Sequence, residues 1–141
     1  MTKTIKKEKW ISWNPIDNFS YEYSIDSIID DVDSFRITLT DIKDKTNKIQ
    51  IIFDDSIYSY RSTDESYRRN TIKFMEEEVD CSKGLFFKVI ENSEYLAWLV
   101  RESGEVVKVD IESNSLIHFV FVDSESFLDV VANYEPRIER I

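Results

Sequence analysis

Residues 48–69, KIQIIFDDSIYSYRSTDESYRR, constrain this chain more than any other stretch. Ile49, Ile51 and Phe53 fall on one side, with Gln50 and Ile52 on the other. That is the two-residue period of a strand with one well-buried face. Asp54, Asp55 and Ser56 end it, because such side chains bond their own backbone and favour a turn. Tyr58–Arg61 leads into a helix start, with Ser62 as N-cap, Glu65 three residues later as in a capping box, and Asp64 at the positive end of the dipole. A strand, a corner and a helix in so short a span point to a mixed fold.

The flanking sequence extends this pattern. Phe19, Tyr21, Tyr23 and Ile25 alternate with polar residues and predict a strand running on to Ile28-Ile29. Asp30-Asp31-Val32-Asp33 makes an acidic turn, and Phe35, Ile37 and Leu39 begin the next strand. The connections before and after that strand are too short for a parallel crossover, so the three strands form an antiparallel meander. The first helix, about 63–79, carries Tyr67, Thr71, Phe74, Met75 and Val79 on its packed side, with Arg68, Arg69, Lys73, Glu76 and Glu77 facing water. Leu85–Ile90 alternates as a fourth strand. Asn92-Ser93 caps a second helix, about 93–103, which Gly104 ends in the left-handed C′ position. Val106–Ile111 is a weaker apolar segment, either strand or extended connection. Residues 116–122, LIHFVFV, are nearly continuous apolar, as a strand buried on both faces requires. Residues 126–134, SFLDVVANY, fit either a strand or a helix, and Pro136 closes the regular structure. The expected fold is α+β: a single domain with a mainly antiparallel sheet of about 5–7 strands and two main helices gathered on one side. Residues 1–9 are expected to be flexible, and Trp10 and Trp13 to pack over a core edge.

Composition narrows the function. A chain of 141 residues buries enough surface for a core without metals or disulfides. The single cysteine, Cys81, allows no internal disulfide. The lysines near the N-terminus are not followed by an apolar signal segment, and no apolar run is long enough to span a bilayer, so the expected location is cytoplasmic. The net charge of −10, from 28 acids and 18 bases, repels phosphate backbones and anionic membranes. Neither nucleic acid nor membrane is therefore an expected partner. The acidity serves solubility or meets a basic partner.

Catalytic, cofactor and metal motifs are not legible. His118, the only histidine, interrupts an apolar strand and reads as a core or sheet-face residue. Cys81 follows acids that raise a thiol pKa and oppose its activation. The Asp30–Asp33 turn has oxygen ligands but lacks the glycine and the last-position glutamate of an EF-hand. With glycine only at Gly84 and Gly104, phosphate-binding loops are excluded. Tyr58, Tyr60, Arg61, Tyr67, Arg68 and Arg69 mix aromatics with arginine, as interface hot spots do, although Arg61 and Arg68 can simply pair with Asp64 and Glu65.

Three segments carry a resemblance: YRSTDESYRR (60–69), FFKVIENSEYLAWL (86–99) and VVANYEPRIE (130–139). They resemble a family of small cytoplasmic immunity proteins of Gram-positive bacteria, whose genes lie beside polymorphic, contact-dependent toxins such as the wall-associated toxin WapA. The likeness runs from the Phe35 strand to the end, with residues 1–20 outside it. It implies a non-enzymatic protein that binds and neutralises the C-terminal domain of a cognate toxin, often a nuclease. The alternative is an acidic scaffold or interaction domain without a toxin partner; an enzyme ranks third. In the meander, the turn before Ser34 and the exit of the Lys48–Phe53 strand lie at one end. Asp30, Asp31, Asp33, Asp54 and Asp55 are therefore the expected partner-binding patch, with Glu76, Glu77 and Glu78 as the alternative.

Overall fold

The structure, a computed structural model, describes residues 7–106 and 116–141. Its strands are β1 (Lys9–Ser12), β2 (Tyr23–Asp30), β3 (Phe35–Asp41), β4 (Lys48–Phe53), β5 (Ser59–Asp64), β6 (Phe86–Glu91), β7 (Ile117–Val122), β8 (Ser126–Ala132) and β9 (Arg137–Arg140). The helices are α1 (Arg69–Glu78) and α2 (Glu94–Glu102), with a 3-10 turn at Glu65–Tyr67. The fold is α+β and wholly antiparallel in its described pairings. The strands exceed the expected 5–7 and divide between two sheets, ordered β1-β6-β7-β8-β5 and β2-β3-β4-β9. The predicted meander is β2-β3-β4.

The two sheets pack face to face with both helices outside the first. One core lies between the sheets and joins Ile37, Leu39, Ile49, Ile51 and Phe53 to Phe86, Phe119, Phe121 and Leu128. A second lies under α1 and joins Met75 and Trp10 to Phe87, Val89, Val120, Val122 and Phe127. This three-layer arrangement explains why β7 reads as a nearly continuous apolar run: it is covered by a sheet on one face and by helices on the other. It also settles residues 126–134, whose first seven form a strand. Asp123, in the β7–β8 turn, ties the sheets together by accepting from the Ile25 N–H at 3.0 Å. Trp10 and Trp13 are buried, as expected.

Three local expectations are corrected. Ser62 caps no helix: it lies in β5 opposite Leu128, and β5 pairs with β8 at six consecutive positions. That ladder outweighs the local capping pattern, as tertiary pairing routinely does. Asp64 instead caps the 3-10 turn by accepting from Ser66 N–H at 2.9 Å, and α1 begins only at Arg69. Tyr67 is consequently 82% exposed rather than packed, and Arg68 points inward. Pro136 does not end the regular structure, because the four residues of β9 pair with the free edge of β4. Only Ile138 in that strand is apolar and partly buried, too little pattern to mark a strand in sequence. The Val107–Ile111 part of the weak apolar segment lies outside the described residues.

The second helix follows its sequence signals. Ser93 Oγ accepts from Leu96 N–H at 3.1 Å, and Gly104 takes φ 64° just past the end. Ser93→Ala should cost about 1–2 kcal/mol, since the cap bond is lost. Thermal melts superimposing on wild type would mean that the start of α2 does not depend on Ser93.

Candidate partner-binding site

The pairing of β3 with β4 places Phe35 opposite Phe53. The turn entering β3 and the chain leaving β4 therefore emerge at the same end of the second sheet. There they enclose an open cleft of about 570 Å³. Asp30, Asp31, Asp33, Asp54 and Asp55 all line it. Its far wall is the segment leading into β5 together with the start of that strand, where Tyr60 packs at a tilt on Phe35 with ring centroids 4.7 Å apart. Five carboxylates from two separate segments thus meet on one concavity, beside an aromatic ring that is 39% exposed.

The five differ in what holds them. Asp31 Oδ1 accepts from the N–H groups of Asp33 and Ser34, at 2.9 and 3.1 Å, and Arg36 Nη2 donates to its Oδ2 at 2.9 Å. The backbone bonds, from Asp33 first, lower its pKa below the ordinary value. Asp54 accepts from Arg137 Nε at 2.7 Å. Asp30, Asp33 and Asp55 have no ion pair among the described residues, so their charges are open to a partner.

The alternative patch is elsewhere. Glu76, Glu77 and Glu78 lie on α1, outside the first sheet. Glu78 is held by Lys7, and Glu76 rims an apolar groove lined by Ile72, Met75, Val79 and Phe127. The two acidic sets do not form one surface.

Sequence reasoning missed a buried charge cluster. Asp129, in β8, is fully buried, yet it binds three groups. Arg61 Nε donates at 3.0 Å and Arg68 Nη1 at 2.7 Å to Oδ2, and His118 Nε2 lies 2.7 Å from Oδ1. The expected pairing of Arg61 and Arg68 with Asp64 and Glu65 is not found. In a helix Arg61 would reach Asp64 and Glu65. In β5, Arg61 and Asp64 point to opposite faces of the sheet, and Arg61 faces Asp129 directly across the ladder. Its guanidinium also lies 4.3 Å over the Tyr95 ring. One signal could have found the site: a lone aspartate and a lone histidine, each in an otherwise apolar strand, need a partner when buried.

The bonds continue from His118 Nδ1 to Ser93 Oγ at 2.8 Å. Serine, histidine and aspartate in series have the order of a hydrolase triad, and each of the three has further partners in the fold. The Ser93 hydroxyl is engaged as the cap of α2. Two arginines already neutralise Asp129. Glu8 takes the Glu94 N–H at 2.8 Å. Both ring nitrogens of His118 face a polar partner inside the fold, Ser93 on one side and Asp129 on the other. His118 is thus a core histidine, as its strand position indicated. Burial, followed by the neighbouring Asp80, pushes the Cys81 thiol up. Among the described residues no three His, Cys, Asp or Glu side chains gather to hold a metal, and no helix is long and apolar enough to cross a membrane.

Comparison with known proteins found no matching family model, no matching curated protein and no matching solved structure.

Proposed function

We propose that this chain is a non-enzymatic immunity protein that binds and neutralises the toxic C-terminal domain of a cognate toxin, a basic nuclease domain, in the cytoplasm. The observation that carries the reading is the acidic cleft. Asp30, Asp31, Asp33, Asp54 and Asp55 line one concavity, and three of them have no ion pair among the described residues. A nuclease presents lysine and arginine to phosphate, so a negative cleft on a chain of charge −10 can occupy that surface and attract it from a distance. The resemblance of residues 60–69, 86–99 and 130–139 to immunity proteins supports the same conclusion. Binding requires no chemistry from the cleft.

Co-expression with the C-terminal domain of a toxin encoded beside this gene tests the function. Cells should survive with this chain and die without it. Changing the five aspartates to asparagines should leave the melting curve near wild type, slow association about tenfold or more at low salt, and flatten its salt dependence. Association rates equal to wild type at every ionic strength would remove the cleft from the interface. Death of cells despite this chain would remove the function.

A further inference from the structure

The described residues leave four sheet edges, and they are not alike. An exposed edge is a row of unpaired N–H and C=O groups, which proteins usually blunt. β1 is only four residues long and its register shifts between Lys9 and Trp10. β9 is also four residues and carries charges on both signs. β2 is longer but bulges at Asp26, between Ile25 and Ser27. Its Ile25 N–H is moreover taken by Asp123. β5 also carries two charges, Arg61 and Asp64, but it has neither the shortness nor the irregularity of the other three. Its six residues, Ser59–Asp64, hold an unbroken register with β8, without proline or bulge, and most of them are exposed.

The direction of its free groups follows from the ladder. Glu65 N–H bonds to Glu125 C=O at 2.9 Å. Asp64 is therefore a non-hydrogen-bonded partner of Ser126, and by alternation so are Ser62 and Tyr60 with Leu128 and Val130. The N–H and C=O groups of Tyr60, Ser62 and Asp64 point away from β8. Among the described residues no strand pairs with them. The same strand forms a wall of the acidic cleft, through Ser59 and Tyr60.

We propose that the toxin domain binds by adding an extended basic segment to the outer edge of β5, continuing the first sheet. The inference rests on the function proposed above and specifies its mode. Main-chain bonds to Tyr60, Ser62 and Asp64 supply affinity, and alternate side chains supply selectivity. Side chains on the face of Tyr60 and Ser62 look towards the aspartate cleft and should be lysine or arginine. Those on the other face meet Arg61, whose side chain is 43% exposed, and should be neutral or acidic. The occupant is thus a strand with basic residues at every second position. A second copy of this chain is disfavoured, because pairing β5 with itself would bring two acidic clefts together.

Ser62→Pro gives the test. The Ser62 N–H points away from β8 and pairs with no strand among the described residues, so proline removes an outward donor and places its ring at the docking edge without breaking the ladder. Ser62→Ala keeps the backbone and is the control. The toxin C-terminal domain should bind Ser62→Pro about tenfold or more weakly than it binds Ser62→Ala, which isolates the loss of the N–H from the loss of the hydroxyl. Hydrogen exchange on the unmutated complex decides the matter should the proline variant fail to fold. The amides of Tyr60, Ser62 and Asp64 should exchange fast in the free protein and slowly in the complex. Tight binding with those three amides unprotected overturns the edge-pairing mode and leaves the immunity function standing. Absence of any binding to wild type removes the function and this inference with it. Self-association of the free chain that Ser62→Pro abolishes would assign the edge to a second copy and overturn the proposal.

Discussion

Asp129→Asn is expected to destabilise the protein by about 3 kcal/mol, the lower end of what removing one partner from a buried ion pair costs. The carboxylate is wholly buried and receives Arg61, Arg68 and His118 at 2.7–3.0 Å. An amide of the same shape keeps the packing but takes away the charge, and its NH2 group opposes donors. Arg68, whose side chain is 13% exposed, is left with little water to compensate. Arg61 is 43% exposed and can turn to solvent, which is why the loss falls at the lower end. Acid should weaken the wild type by the same route. Burial by itself would raise the Asp129 pKa, but the hydrogen bond from His118 and the positive groups around it hold it well below the ordinary 3.8. The unfolded chain therefore takes up the proton first. The stabilisation is complete above the unfolded value and is lost as pH falls through it towards the folded one. Asp31, Asp41, Asp64 and Asp80, all lowered, act in the same direction. Urea melts across pH should show the Asp129→Asn stability falling less steeply than wild type below about pH 5. Parallel acid limbs would mean that Asp129 is not ionised in the native protein.

How far the sequence reached is clear from particular residues. Alternation was strong in Phe35–Asp41 and Lys48–Phe53, and there it marked the strands, their antiparallel order and even which turns share an end. The acidic cleft was legible for that reason: it needs only the meander and the position of its turns. The cap of α2 was legible because Ser93 and Gly104 act locally. β5 was not, because Ser59–Asp64 contains no aliphatic residue and its strand state is imposed by β8 across the ladder. A local capping pattern at Ser62 then pointed the wrong way. That one misreading displaced Arg61 and Arg68 from their true partner and hid the network at Asp129. The second sheet was missed for a related reason: an apolar strand records that both its faces are covered, but not by what.

Phe119→Ala should be among the most damaging single changes in the core, costing about 3–5 kcal/mol. Phe119 and Phe121 are both fully buried, on the face of β7 that meets the second sheet. The Phe119 ring is 5.1 Å from Trp13 and 5.6 Å from Phe53, so it touches both the chain that follows β1 and the last residue of β4. Phe121 is 5.0 Å from Phe86 and 5.8 Å from Trp13. Truncating Phe119 leaves a ring-sized cavity whose walls are themselves aromatic rings, edge-on and held by their own neighbours. Such walls collapse poorly, and the cost grows with the volume left empty. Val32, fully exposed in the acidic turn, is the contrast, and Val32→Ala should change stability by no more than about 0.5 kcal/mol. Equilibrium urea melts on both variants measure the difference. A loss below about 1 kcal/mol for Phe119→Ala would mean that the sheets do not close on this ring. The same variant bears on the cleft. Phe53 is the residue immediately before Asp54, and it packs on Phe119 and on Phe35, which begins the strand after the acidic turn. Loosening that contact should disturb both sides of the cleft together, so Phe119→Ala should weaken toxin-domain binding even under conditions where it is fully folded.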